Sequence, residues 1–315
     1  MVPPNDLLKR MEALNRRPLK DRPAEDAETE SSAGTPSKVD RRPPPRSSRA
    51  SRPAQAPAMP TTTLDDLPNC VEAISADAGP ALVFTTDVDT YDDACAGLSE
   101  RFRAQIDDEG SSFQRNVARR GGRNISGIED VLFIDLETTG LMNTPVFLIG
   151  AMVWTDAGLS VRQYFARNLD EEHAILSIFA EHISPRTWLV TFNGKTFDWP
   201  FVLDRSLRHG VDMRFHGAHV DLLHVGRRAW GDSTPNCKLQ TLEQYICDRT
   251  RVGDIPSSEI PAAYRRFTRS EDATEMQSVL HHNALDLITL ADLIVRLPED
   301  ISVPQKRRRS RRRRA

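Results

Sequence analysis

The sequence predicts an α/β domain on a mixed sheet, an antiparallel meander continued by parallel strands and flanked by helices. Two observations carry this. Three apolar runs, Val131 to Ile134, Val146 to Trp154 and Leu159 to Ala166, lie too close together for crossover connections, so they pair as a meander. After them, a strand alternates with helix-length amphipathic stretches, which adds parallel strands to the same sheet.

The elements follow in chain order. Residues 1–60 hold 11 of the 21 prolines and no Phe, Trp or Tyr. Such a stretch cannot bury enough apolar surface to offset its ordering entropy, which predicts a disordered basic arm. Within it, Leu7, Leu8, Met11 and Leu14 share a helical stripe behind a capping Asp6, enough for a short docking helix at most. Residues 61–125 form an extension whose place in the main domain the residues leave open. Ala81 to Thr86 reads as a strand, Tyr91 to Phe102 as a helix, and Arg115 to Arg123 as a linker-like or substrate-facing stretch.

The main domain spans 126–298. Its first strand, Val131-Leu132-Phe133-Ile134, is continuously apolar, as a central buried strand is, and runs into Asp135. Asn168 or Asp170 caps a helix with the stripe Ile175, Leu176, Phe179 and Ile183. Trp188 to Phe192 is a parallel strand, and a helix from about Phe197 tolerates Pro200 in its first turn and ends before Gly210. A short strand or helix at 219–229 precedes a helix over Leu239 to Cys247, a loop over 253–262 with three breakers, and a long final helix over Glu275 to Leu297. Residues 299–315 are predicted to be a disordered basic tail.

Charge is strongly partitioned. The net −3 conceals +4 in residues 1–60, +8 in 306–315 and −15 in 61–305. An acidic body argues against a simple nucleic-acid clamp, whose folded face is expected to be basic; if nucleic acid is handled, cations must help. Charged residues near the start interrupt any secretory segment, and the longest apolar run is nine residues, short of the roughly 20 that a membrane helix needs. Cys70, Cys95, Cys237 and Cys247 show neither a C-x-x-C pair nor zinc-ligand spacing, so free thiols in a reducing cytoplasm are expected.

Three segments place acidic residues at points fixed by hydrophobic packing. Asp135 and Glu137, two apart on a strand, point to one face. Two neighbouring carboxylates repel unless a cation sits between them, and hard divalent cations prefer such oxygens; the bland alternative is a solvated strand end. Asp198 falls in a helix's first turn, where the helix dipole alone explains an anion. In the final helix, His282 lies four residues before Asp286 and shares its face, whereas His281 points elsewhere in a regular helix; such a pair is usually a surface salt bridge.

Taken together, D-x-E, then N-x-x-x-x-D, then H-x-x-x-D resembles the DEDD superfamily of 3′–5′ exonucleases on the ribonuclease H-like fold. Within it, Phe133-Ile134-Asp135-Leu136-Glu137-Thr138-Thr139-Gly140-Leu141, the Asn193-Gly194 turn, Leu239-Gln240-Thr241-Leu242-Glu243, the loop from Asp254-Ile255-Pro256 to Ile260-Pro261, and His282-Asn283-Ala284-Leu285-Asp286 are similar to the YprB-type subfamily, over about 129–297. This chain carries His at both positions, four and five before the last Asp, where the branches of the superfamily differ, so the general base stays open between His281 and His282.

The resemblance implies phosphodiester hydrolysis with two divalent cations, Mg²⁺ or Mn²⁺, about 3.5–4 Å apart. Asp135 would bridge them, Glu137 and Asp286 would complete the shell of the water-activating ion, and Asp198 would hold the second through water. His282 would orient or deprotonate the nucleophile, and Thr138, Thr139 and Asn193 would hold the terminal nucleotide. The implied partner is nucleic acid, DNA or RNA, at single-stranded ends, with neither a membrane nor an obligate protein partner evident. The rivals are a catalytically silent binding or assembly module on the same fold and a structure-selective endonuclease. The tail Lys306 to Arg314 reads either as a solubilising end or as a phosphate tether for the acidic body.

Overall fold

The computed structural model describes residues 62–301 apart from 122–124, 126, 142 and 184–185. The proline-rich arm with its docking helix and the basic tail from 302 onward lie outside the described residues.

Seven strands form one sheet in the order β1-β2-β5-β4-β3-β6-β7. They are β1 (Cys70–Ser75), β2 (Gly79–Asp87), β3 (Val131–Thr138), β4 (Val146–Thr155), β5 (Gly158–Phe165), β6 (Trp188–Thr191) and β7 (Ala218–Asp221). β3, β4 and β5 make the expected antiparallel meander, and β6 joins β3 in parallel, followed by β7. β2 pairs antiparallel with β5, and β1 with β2, so residues 70–87 extend the same sheet.

Eight α-helices are described: α1 (Leu98–Asp107), α2 (Ser112–Gly121), α3 (Glu172–Ile183), α4 (Asp198–His209), α5 (Leu222–Ala229), α6 (Leu239–Ile246), α7 (Ile260–Ser270) and α8 (Thr274–Val295). Strand alternation divides the core between the two faces of the sheet. Leu132, Ile134 and Leu189 pack with Ile175, Leu176 and Phe179 of α3 and with Tyr264 and Phe267 of α7. Val131, Phe133 and Val190 pack with Leu98 and Phe102 of α1 and with Leu287, Leu290 and Ile294 of α8. By length and composition α8 could cross a membrane, yet most of it is buried inside this domain.

Three sequence expectations need correction. The stretch around Arg115 is helix, not linker: Phe113 is buried, the Gln114 amide donates to the Ile106 carbonyl at 2.6 Å, and Arg115 donates to the Glu299 carbonyl at 2.9 Å. The loop expected over 253–262 ends early, because Pro261 sits in the first turn of α7, where its missing N–H is harmless. Ile260, Ala263, Tyr264 and Phe267 give α7 its buried stripe, and Tyr264 stacks on Phe147 of β4 with ring centroids 3.9 Å apart. The helix expected from Tyr91 instead starts at Leu98: two 3₁₀ turns come first, and Gly97 takes φ +68° to turn the chain into α1.

Candidate active site

The site forms at the carboxyl end of β3, where the sheet changes from antiparallel neighbours on one side to parallel neighbours on the other. Asp135 and Glu137 alternate in step with Val131 and Phe133, so they share the face crossed by α8. Asp135 sits opposite Gly150 of β4 and Glu137 opposite Leu148, with a register shift just beyond, between Glu137 and Thr138. β6 ends at Thr191 and leads into Asn193, which takes φ +64° in the turn before α4. Buried Asp221 organises that turn, accepting from the amides of Asn193 at 2.8 Å, Lys195 at 3.3 Å and Leu223 at 3.1 Å. The turn delivers Asp198 into the first turn of α4, and α8 supplies His282, Asn283 and Asp286.

The four carboxylates act on one another. Burial, then the charges of Asp286, Glu137 and Asp198, push Asp135 well above the usual carboxylate range; burial and the charges of Asp286, Asp198 and Asp254 do the same to Glu137. Asp198, only 5% exposed, is pushed up to about 7 by burial, although the Asp198 and Leu136 amides hydrogen-bond to it and oppose the rise. The fold therefore holds three acids in a state where ionisation is costly without a nearby cation.

Side chains that the sequence pattern does not single out complete the site. Asn283, fully buried, donates to the Asp135 carboxylate at 2.9 Å, and its side-chain oxygen accepts from Gln163 at 2.9 Å. Gly150 makes this contact feasible, since a Cβ there would collide with the Asn283 side-chain oxygen. Arg251 donates to Asp286 at 2.5 Å, to Glu243 at 2.6 Å and to Asp254 at 3.2 Å. Burial opposes its charge, but Asp286 and Glu243 more than offset that and keep the guanidinium protonated. Asp254 also faces His282, with Oδ1 2.8 Å from Nδ1, while the His282 Nε2 lies 3.2 Å from the Ser257 hydroxyl and 3.7 Å from Asp286. With Nδ1 turned to Asp254, the other ring nitrogen, Nε2, faces Ser257 and Asp286. Of these, Glu243, Asp254 and Asn283 fall within the segments that resemble the YprB-type subfamily, while Arg251 and Gln163 fall outside them. A glycine inside an apolar strand such as β4 signals a close approach by a neighbour.

Asp135, Glu137, Asp198, His282 and Asp286 line one open cleft of about 470 Å³ with Thr138, Asn193, Leu141 and Phe197. The Thr138 hydroxyl, within that lining, donates to the Gly140 carbonyl at 2.6 Å. Thr139 is not among the lining residues; its hydroxyl lies 3.4 Å from the Pro145 carbonyl. His281 faces the other way. Its ring stacks on Tyr91 at 5.7 Å, and its Nδ1 lies 2.5 Å from the Tyr91 hydroxyl. α8 runs unbroken through both histidines, so the regular helix turns His282 and Asp286 into the same cleft.

The donor set suits hard divalent cations: Asp286 joins three carboxylates, Asp135, Glu137 and Asp198, whose ionisation is disfavoured by burial and by neighbouring negative charge. As they stand, no three His, Cys, Asp or Glu side chains among the described residues are drawn together tightly enough to ligate one ion. That spread is expected of repelling carboxylates, and Asp286 is meanwhile engaged by Arg251.

Comparison with known proteins agrees with this architecture. Residues 132–298 match the family model of the RNase_H superfamily. The protein YprB of Bacillus subtilis (strain 168) is 33% identical over 178 residues, which cover 55% of this chain and 43% of YprB. The catalytic polypeptide of DNA polymerase epsilon from Saccharomyces cerevisiae (strain ATCC 204508 / S288c) is 50% identical over 48 residues, 15% of this chain and 2% of the polymerase. The chain thus spans under half the length of the first relative and a small fraction of the second. Among solved structures, the family B DNA polymerase of the hyperthermophilic archaeon Pyrobaculum calidifontis aligns with a TM-score of 0.41 and 17% identity, over 52% of this chain and 24% of that one. Because the family model covers more than half of the sequence and the strands it spans form the mixed sheet described above, the chain belongs to the RNase_H superfamily.

Proposed function

We propose that this protein is a metal-dependent nuclease that hydrolyses phosphodiester bonds of DNA or RNA from the 3′ end of a single strand. The observation that carries the reading is the convergence of Asp135, Glu137, Asp198 and Asp286, from three separate segments, on one open cleft in which three of them resist ionisation. Two divalent cations, Mg²⁺ or Mn²⁺, held by these carboxylates would supply positive charge to the scissile phosphate and lower the pKa of the attacking water. Asp135 is held by Asn283, which suits it to a shared, central ligand position.

His282 takes the proton of the attacking water at Nε2, and Asp254 stabilises the resulting imidazolium through Nδ1–H. Thr138 and Asn193, at the rim of the cleft, hold the terminal nucleotide, and Phe197 and Leu141 shield its base. Superfamily membership and short stretches of similarity to DNA polymerases support a nuclease. The test is incubation of the full chain with 5′-labelled single-stranded DNA and RNA in Mg²⁺, Mn²⁺ or chelator. A ladder shortening from the 3′ end and abolished by chelator is expected; products in chelator, or internal cuts alone, would overturn the reading.

A further inference from the structure

Three clefts meet along one side of the domain, and their walls differ sharply in charge. The carboxylate cleft, lined also by Leu141, Phe197, Ser257 and Pro261, has neither Lys nor Arg in its lining among the described residues. A second cleft of about 450 Å³ shares Asp135, Phe192, Asn193 and Asp286 with it and leads to Arg227 and Lys238. A third, about 600 Å³, continues from Arg227 to Lys195, His219 and His224.

Besides half-buried Arg228, the trough draws three cations from three different elements: Lys195 from the turn before α4, Arg227 from the last turn of α5 and Lys238 from the N-cap of α6. All three are exposed. A helix dipole accounts for an arginine at the end of α5, but not for the two lysines. Among the described residues Asp221 is the one carboxylate lining the third cleft, and its oxygens already accept from three backbone amides. In a body of net charge −15, cations are thus gathered along a path leading into the carboxylates.

We propose that the trough Lys238–Arg227–Lys195 is the path of the nucleic-acid strand 5′ of the scissile phosphate, and that the uncharged cleft receives the terminal nucleoside. A strand carries a phosphate at every nucleotide upstream of the cut, whereas a single terminal nucleoside needs apolar and neutral polar walls. Three cations at the strand's phosphates contribute roughly 2 to the slope of log affinity against log salt, at about 0.7 per phosphate on a single strand. This inference rests on the nuclease reading for the role of the carboxylate cleft, but the trough can be tested by binding alone.

The experiment measures fluorescence anisotropy of labelled single-stranded DNA and RNA 12-mers on the full chain in Ca²⁺, from 50 to 200 mM salt. The wild type is compared with the triple variant Lys195→Ala, Arg227→Ala, Lys238→Ala and with Arg269→Ala in the last turn of α7. Over this range, wild-type affinity is expected to fall about 15- to 20-fold more than that of the triple variant, and Arg269→Ala to follow the wild type. Neutral methylphosphonate linkages placed upstream of the 3′ end should abolish the difference. Equal salt slopes for wild type and triple variant would overturn the trough while leaving the nuclease reading in place. A wild type that binds neither nucleic acid at any salt concentration would overturn both.

Discussion

Asp198→Asn should make the metal-free protein more stable than the wild type by a margin that grows with pH, and metal should narrow that margin. In the folded protein Asp198 is raised to about 7 from an ordinary value of 3.8. A carboxyl raised on folding binds more protons in the native state than in the unfolded one, so stability falls as pH climbs from the unfolded pKa to the folded pKa, then levels off. At about 1.4 kcal/mol per unit, the native state has lost about 2 kcal/mol by pH 5, where only the unfolded carboxyl is ionised, and about 4 kcal/mol by pH 8. Asparagine cannot ionise and escapes this penalty. His219, lowered to about 4 by burial and by Lys195, acts with the opposite sign, so the absolute pH profile mixes opposing signs. The difference between wild type and Asp198→Asn removes the histidine contribution and leaves the Asp198 penalty together with the relief of Asp135 and Glu137, which the Asp198 charge also raises. At roughly 2–4 °C per kcal/mol for a domain of this size, the variant's Tm in chelator should exceed the wild type's by a few degrees at pH 5 and by on the order of 10 °C at pH 8. Adding Mn²⁺ at pH 8 should raise the wild type more than the variant, since a cation binds the ionised carboxylate. The measurement is thermal unfolding by circular dichroism in both conditions. A Tm difference that is constant with pH would refute the reasoning, as would an equal metal response.

Three further outcomes follow from the geometry. His282→Ala should lower turnover by about 10²- to 10⁴-fold while His281→Ala, on the Tyr91 side of α8, should do much less in the same single-turnover assay. Arg251→Ala removes the guanidinium that bridges Glu243, Asp254 and Asp286, leaves Glu243, 1% exposed, to the more distant Arg249 at 3.9 Å, and should cost about 3–5 kcal/mol in urea unfolding. Gly150→Ala drives a methyl group into the Asn283 side chain and should cost about 1–3 kcal/mol; it should also weaken metal binding by calorimetry, because Asn283 then no longer holds Asp135.

Much of the domain was legible because its signals are local. The continuous apolar character of β3 and β4 marks buried strands, and the short links between β3, β4 and β5 force antiparallel pairing. The carboxylates that line the cleft were legible for the same reason: strand alternation puts Asp135 and Glu137 on one face, and helical periodicity puts His282 with Asp286 and turns His281 away. What was not legible depends on long-range pairing. Asn283 reaches Asp135 across 148 positions of sequence, and Arg251 reaches Asp286 across 35, and neither spacing has a period that reveals it. The helix α7 was missed because the breakers Gly253, Pro256 and Pro261 outweighed a stripe of Ile260, Ala263, Tyr264 and Phe267 that needs its partners on β4 and β5 to be recognised as buried.

The central claim, that the carboxylate cluster works through divalent cations on nucleic acid, is tested most directly by single-turnover hydrolysis of a labelled strand against Mn²⁺ concentration for wild type and Asp135→Asn. Asparagine keeps the size of the side chain while removing the charge beside Asp286, Glu137 and Asp198. The account predicts saturable, chelator-sensitive cleavage by the wild type and loss of cleavage in Asp135→Asn at every Mn²⁺ concentration, with the variant still folded. Cleavage by Asp135→Asn at the wild-type rate, or wild-type cleavage independent of Mn²⁺, would contradict it.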